Sequence, residues 1–246
     1  MNDNKPHTWS EDYKIASYFV NLRGRAGLYA ILNFIQDVGW MHARQMKVQL
    51  DPNQAWVFTR QSLTMDAWPK WNETITIKTW IRPPVSDVFF FRDYEISIGD
   101  KKIGECTSTF SVIDMNTRKM VAPDQKKLGA VYREDHNRSE APEKIQWQAE
   151  AQEVAQFQVR NSDLDMNNHV NNTKYAQWIL DAIPLDILKG DVHLQKYEVN
   201  FLAETVSGDQ VNLQMLKPAE NTKLTQFQGV RAADGKPVFT ARLHTT

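Results

Sequence analysis

Residues 157–184 read FQVRNSDLDMNNHVNNTKYAQWILDAIP, and this stretch decides the fold. Phe157 and Val159 alternate with polar neighbours, as one face of a strand does. A polar loop follows from Asn161. Tyr175, Trp178, Ile179, Ala182 and Ile183 then recur at the three- and four-residue spacing of a helix, which Pro184 closes. Beyond it come four extended segments, at 194–203, 211–216, 224–232 and 238–243. In the first of these Tyr197, Val199, Phe201 and Ala203 share a face, and an Asp234-Gly235 turn joins the last two as a hairpin.

The first half of the chain has the same order. A strand is predicted over 13–22, and Leu28, Ile31, Leu32, Ile35 and Val38 then mark a helix from about residue 26 to 45. Extended segments follow at 56–65, 74–81, 88–98 and 103–113, with Ile75, Ile77 and Ile81 on one face and a Gly99-Asp100 turn before the last. Two runs of strand, helix and four strands predict a duplicated α+β unit. The charged segment 122–150, with Pro123, Pro142 and the run 133–138, reads as a solvated linker. The expected units are therefore 1–130 and 151–246, joined by 131–150. A long antiparallel sheet wrapped around each apolar helix stripe would bury both stripes. That is a hot-dog domain, and two in one chain make a tandem, or double, hot-dog fold.

Composition narrows the function. The 246 residues carry 29 Lys plus Arg against 30 Asp plus Glu, a net charge of -1, which argues against a nucleic-acid partner. With 41% hydrophobic and 24% charged residues it is an ordinary globular composition. No apolar run approaches a membrane span, and the polar start over residues 1–10 does not read as a signal for export. A single cysteine, Cys106, excludes internal disulfides and multi-cysteine metal sites and fits a cytoplasmic protein. There is no Gly-Xaa-Ser-Xaa-Gly elbow and no glycine-rich phosphate loop. His42 reads as a partly exposed or bonded residue at the core edge rather than a ligand. His7, His136 and His244 lie in terminal or linker stretches, and His193 at a strand start.

The densest polar cluster, residues 161–172, holds five Asn, two Asp and one His. Helix capping by Asn171 or Asn172 accounts for one or two of them. Asp163, Asp165 and Asn167 have the first, third and fifth spacing of a calcium loop. However, Asn168 stands where glycine is needed and Lys174 where a bidentate Glu is needed, so that reading fails. The third reading is a hydrolytic site. Asp165, Asn167 and His169, two apart, can converge in an extended loop, and the following helix offers its positive end to a developing oxyanion. An imidazole beside a carboxylate is an acid–base pair suited to neutral pH. The matching place in the first half, residues 21–25, has neither His nor carboxylate.

Residues 162–175 with Trp178, Ile179, Leu180 and Pro184 resemble the signature of the plant and bacterial acyl-acyl carrier protein thioesterases. Residues 36–39, 56–60 and 114–120 (Asp-Met-Asn-Thr-Arg-Lys-Met) are similar to the same family in the same order. The resemblance implies a tandem hot dog whose N-terminal half shapes an acyl pocket and whose C-terminal half is catalytic. It places the family's Asp-x-Asn-x-His motif on Asp165, Asn167 and His169, and its later catalytic Glu on Glu204. Plant members have a cysteine after that Glu, where this chain has Thr205, so direct attack by water is expected. In that mechanism Glu204, helped by Asn167, activates the water and His169 is oriented by Asp165. The N–H groups of Val170, Asn171 and Asn172 would hold the oxyanion. No metal or cofactor is implied. The implied partner is acyl carrier protein bearing a fatty acyl phosphopantetheine thioester, and a homodimer is allowed. Lys174, Lys189 and Lys196 are candidates for a basic patch that receives an acidic carrier. Phe34, Ile35, Trp40, Met41 and Met46 are candidates to line the acyl tunnel. An acyl-coenzyme A thioesterase, a non-catalytic acyl-binding protein and a hot-dog dehydratase are the alternatives.

Overall fold

The alternation read from both halves is realised in a single antiparallel sheet. The computed structural model describes residues 6–84, 86–134, 141–189, 193–216 and 223–246. The first half forms β1 (Trp9–Lys14), α1 (Leu28–Gln45), β2 (Gln54–Met65), β3 (Thr74–Ile81), β4 (Phe90–Ile98) and β5 (Lys101–Asp114). A single turn, α2 (Gln125–Leu128), precedes the second half. That half forms β6 (Gln152–Gln158), α3 (Lys174–Asp181), α4 (Leu185–Lys189), β7 (Leu194–Phe201), β8 (Gln210–Met215), β9 (Leu224–Arg231) and β10 (Pro237–Thr245). Across the sheet the order is β1-β3-β4-β5-β2-β7-β10-β9-β8-β6. Each half contributes five strands in the same internal order, reversed about the β2–β7 seam, where Arg60 pairs with Asn200 and Thr64 with Lys196. This is the double hot-dog fold.

Both helix stripes enter one continuous core. Leu28, Ile31, Leu32, Ile35 and Val38 of α1 and Tyr175, Ala176, Trp178 and Ile179 of α3 are buried together with Ile75, Ile77, Tyr197, Val199, Phe227 and Phe239 from the sheet. Trp178 stacks on Phe157, with ring centroids 5.6 Å apart, and Tyr175 packs against Phe239 at 5.0 Å. A helix of eight residues such as α3 is marginal alone. Burial of its large side chains, at about 1.5–3 kcal/mol each, is what holds it.

Two sequence expectations are corrected. The strand expected over 13–22 is β1, which ends at Lys14, followed by a tight turn at Ser17–Phe19. The chain leaves the sheet there because Phe19 packs edge-on against Phe34, at 4.8 Å, while Tyr18 stays 80% exposed. The expected solvated linker is a strap docked by its backbone over residues 143–148, although most of its described side chains there are exposed. Polar side chains on the outer face of the second half bind its backbone: Asn200 donates to Glu143 O and accepts from Ile145 N–H, and Gln226 donates to Gln146 O. Gln228 donates to Gln148 O and accepts from Gln148 N–H, which leaves Ile145 buried over the sheet. Upstream, Arg133 lies 5.2 Å from the Trp80 ring centroid and donates its N–H to Ile81 O. His136, in the charged run, lies outside the described residues.

Candidate active site

The loop before α3 is built by main-chain bonds. Leu164 and Val170 form a β-bridge, Asp165 N–H donates to His169 O (2.8 Å), and Asn168 N–H donates to Asp165 O (3.1 Å). The reversal needs a left-handed residue, which is Asn168 at φ 60°. Asp165 Oδ1 closes the loop by accepting from the N–H of Asn167 (2.8 Å) and of His169 (3.4 Å). Val170 N–H donates to Thr205 O (2.8 Å) and His169 bridges Val206, so the loop is zipped onto the segment after β7. This zipper brings His169 Nε2 to 3.6 Å from Glu204 Oε2. Partial burial pushes the Glu204 carboxyl up, but the hydrogen bond from Arg118 and the charges of His169, Arg118 and Lys236 outweigh it and hold the group below the usual carboxylate range.

The expected roles divide. Asp165 positions His169 through its backbone N–H rather than through the imidazole. Val170 N–H is committed to Thr205 O and Asn171 N–H to Asp163 O, so neither is free for an oxyanion in this conformation. Asn171 Oδ1 instead accepts from Thr173 N–H and Oγ1, both at 3.0 Å, an Asx turn just ahead of α3 rather than the helix cap expected, since the N-cap is Thr173 and no side chain caps it. Asn172 lines the adjoining cavity. Thr205 is fully buried and its hydroxyl accepts from Tyr175 OH at 2.9 Å, a structural post rather than a nucleophile. Cys106 is also buried, and burial pushes its thiol far up, which leaves it un-ionised and inert.

A cavity of about 260 Å³ runs from this loop into the first half. Asp165, Asn167, Asn172 and Thr173 stand at one part of its lining, and α1 supplies Leu32, Ile35, Gly39, Trp40 and Ala43. Trp56, Phe58, Phe90, Phe91 and Phe110 of the sheet and Leu128, Ala130 and Tyr132 of the strap side complete a mostly apolar wall, interrupted by Arg92, Tyr94, Gln61 and Ser108. His169 and Glu204 are outside the lining and join it through Asp165. Of the five tunnel candidates, Ile35 and Trp40 line the cavity. Phe34 packs instead against Tyr13 and Phe19, Met46 is buried in the core, and Met41 is not in the lining. Among the expected basic residues, Lys174 pairs with Asp163 (3.7 Å) and Lys196 with Glu198 (3.0 Å), while Lys189 is exposed at the end of α4. His42 is wholly buried, between Arg92 Nη1 (2.8 Å from Nδ1) and Pro6 O (2.9 Å from Nε2).

One residue escaped the sequence reading. Arg118, in the turn after β5, places Nη2 2.5 Å from Glu204 Oε2. Its only signal was membership of the segment 114–120, similar to the family but without an assigned role.

Fold and site define a class, a double hot-dog protein in which a polar strand-to-helix loop of one half meets an apolar cavity walled by the other. Family models narrow the class: the acyl-ACP thioesterase N-terminal domain matches residues 6–126 and the C-terminal domain residues 146–243. The chain belongs to the acyl-ACP thioesterase family. It is 26% identical over 229 residues to oleoyl-acyl carrier protein thioesterase 1, chloroplastic, of Arabidopsis thaliana, covering 83% of this chain and 62% of the relative. To the chloroplastic oleoyl-acyl carrier protein thioesterase of Coriandrum sativum it is 26% identical over 246 residues, covering 90% and 66%. The chain thus spans roughly two thirds of the length of these relatives. The fold is shared with an acyl-ACP thioesterase from Bacteroides thetaiotaomicron, with TM-score 0.83, 22% identity and coverage of 98% of both chains. Among the described residues no helix is long and apolar enough to cross a membrane.

Proposed function

We propose that this chain hydrolyses the thioester of a fatty acyl group carried on acyl carrier protein, releasing the free fatty acid and ending its elongation. The observation that carries this reading is the junction of an apolar cavity from the first half with the Asp165–Asn167 loop, beside the Glu204–His169 pair at 3.6 Å. Residues 1–130 shape the acyl pocket, 131–150 connect, and 151–246 bring the reacting groups. The acyl chain is recognised by burial, at about 0.8 kcal/mol per methylene, so the end of the cavity sets the preferred length.

Water supplies the nucleophile. Glu204, held ionised by its cationic neighbours, takes a proton from water as the oxygen attacks the thioester carbon, and Asn167 helps to hold that water. The resulting oxyanion is stabilised by His169 and by the N–H of Asn172; each such donor contributes about 3–4 kcal/mol. Collapse breaks the carbon–sulfur bond and the leaving thiol receives a proton at the same site. The protein acts in the cytoplasm, and the site is complete within one chain whether or not it pairs as a homodimer.

The test is thiol release by the purified full chain from acyl-carrier and acyl-coenzyme A substrates of several lengths. Faster release from the carrier-bound substrate is expected. Preference for coenzyme A would replace the substrate, and no release from either would leave an acyl-binding protein.

A further inference from the structure

Glu204 is gripped from the half of the chain that holds none of the other reacting groups. The turn after β5 is stiffened by Asp114, whose Oδ1 accepts from the N–H of Asn116 (3.1 Å) and Thr117 (2.7 Å). Arg118 N–H donates to Asp114 O (2.8 Å), and Asp114 N–H to Lys119 O (3.0 Å). Arg118 itself is held at φ 58°, a left-handed conformation that a residue with a β-carbon adopts only when its surroundings impose it. The side chain so aimed meets Glu204 Oε2 at 2.5 Å, the oxygen that also faces His169 Nε2 at 3.6 Å. Arg118 and His169 thus approach the same carboxylate oxygen of Glu204, whose side chain is 39% exposed.

We infer that Arg118 is a positioning residue of the hydrolytic site, clamping one oxygen of Glu204 so that the other presents a fixed lone pair to the attacking water. The inference rests on the reading of Glu204 as general base and makes the site a joint product of both halves. A general base acts only within hydrogen-bond reach of its proton, and small displacements of such a group are costly. The groups facing Glu204 are Arg118 from the β5 turn, His169 from the loop before α3, Lys236 from the β9–β10 turn and Tyr175 from α3. Arg231 of β9 binds its main-chain oxygen while paired with Asp209 and Asp234. Arg118 makes the largest favourable contribution to ionising Glu204, so its loss moves the acidic limb of the rate profile to higher pH.

The experiment compares the full chain with Arg118→Gln, Arg118→Lys, Glu204→Ala and the Glu204→Ala, Arg118→Gln double variant on one acyl-carrier substrate, reading kcat, KM and the pH profile. Arg118→Gln is expected to lower kcat about tenfold to a hundredfold with KM little changed, and to shift the acidic limb upward. Arg118→Lys, which keeps the charge, should recover part of both, and in the Glu204→Ala background Arg118→Gln should cost nothing more. An inactive Glu204→Ala beside an Arg118→Gln of unchanged kcat and limb overturns the clamp alone. A rise in KM only does the same and makes Arg118 a substrate contact. Full turnover by Glu204→Ala removes the base, and the clamp with it.

Discussion

The loops that precede α1 and α3 are one design used twice. Val20 bridges Ala26 as Leu164 bridges Val170. Asn21 N–H donates to Arg25 O at 2.8 Å, as Asp165 N–H does to His169 O. Asn21 Oδ1 accepts from Arg23 and Arg25 N–H at 2.9 and 3.4 Å, and Asp165 Oδ1 from Asn167 and His169 N–H at 2.8 and 3.4 Å. Gly24 at φ 68° stands where Asn168 stands at 60°. A side-chain oxygen thus makes the same pair of backbone bonds in both loops, from an amide at 21 and from a carboxylate at 165. What the second loop adds is His169 in place of Arg25 and Glu204 in place of Trp68, whose carbonyl Arg25 binds at 2.7 Å. The first half differs in the opposite sense: α1 has 18 residues against eight in α3, and its later turns bring Gly39, Trp40 and Ala43 to the cavity wall. The longer helix walls the cavity, and the loop of the other half carries His169 beside Glu204.

The sharpest way to break that comparison is to disarm each loop in turn. Glu204→Ala should lower kcat by at least about a hundredfold, whereas Arg25→Gln, at the corresponding position of the first loop, should leave the turnover of the folded protein unchanged. Equal losses in steady-state assays would mean that the two loops are not specialised.

The next effect belongs to α1 alone. His42, buried beside Arg92, is held down to about 4, first by burial and then by the Arg92 charge. The unfolded chain binds a proton near pH 6.5 that the folded chain refuses until about pH 4, so stability falls as pH drops through this window. The expected loss from pH 7.5 to 5 is about 2 kcal/mol by urea unfolding. His42→Gln should flatten it. Glu204 and Glu198, held low in the folded state, contribute stability above the usual carboxylate range and lose it only at lower pH, outside this comparison. A pH-independent midpoint in the parent protein would show that His42 is not a buried neutral group.

Which features were legible follows from how local their causes are. Residues 74–81 were read to the residue because Ile75 and Ile77 alternate against the core. Residues 13–22 misled because Tyr18, Phe19 and Val20 have the composition of a strand, while the reason to turn away, Phe34, lies on the next helix. The strap looked solvated because its partners, Asn200, Gln226 and Gln228, are polar residues on strands distant in sequence that bind its backbone rather than its side chains. In the site, the pattern Asp165, Asn167, His169 was visible as spacing, but the hydrogen bond by which Asp165 holds the His169 backbone N–H, matched by Asn21 on Arg25, depends on a loop geometry that spacing does not show. Arg118 could not be placed because its distance from Glu204 depends on how the halves join at the β2–β7 seam.

The backbone bonds of Asp165 give a smaller and more specific effect. Asp165→Asn copies Asn21 and should keep both stability and most of the turnover. Asp165→Ala removes an acceptor of two main-chain N–H groups and should cost about 1 kcal/mol, the scale of a lost helix cap. Thermal unfolding and kcat read on the same samples separate the outcomes. An Asp165→Asn variant as impaired as Asp165→Ala would restore the carboxylate charge to the mechanism.

The smallest effect tests whether the loops share backbone as well as bonds. At Asn168 the left-handed conformation carries the cost of a β-carbon, partly relieved because Asn tolerates it better than most residues. Asn168→Gly copies Gly24 and removes that cost, while leaving the unfolded chain more entropy to lose. The two nearly cancel, so a change within about 0.5 kcal/mol is expected by urea unfolding. Asn168→Ala keeps the β-carbon without the tolerance and should destabilise by about 1 kcal/mol. If alanine were accepted as readily as glycine, the turn at 168 would not be left-handed in solution, and its equivalence to Gly24 would fail where it is easiest to measure.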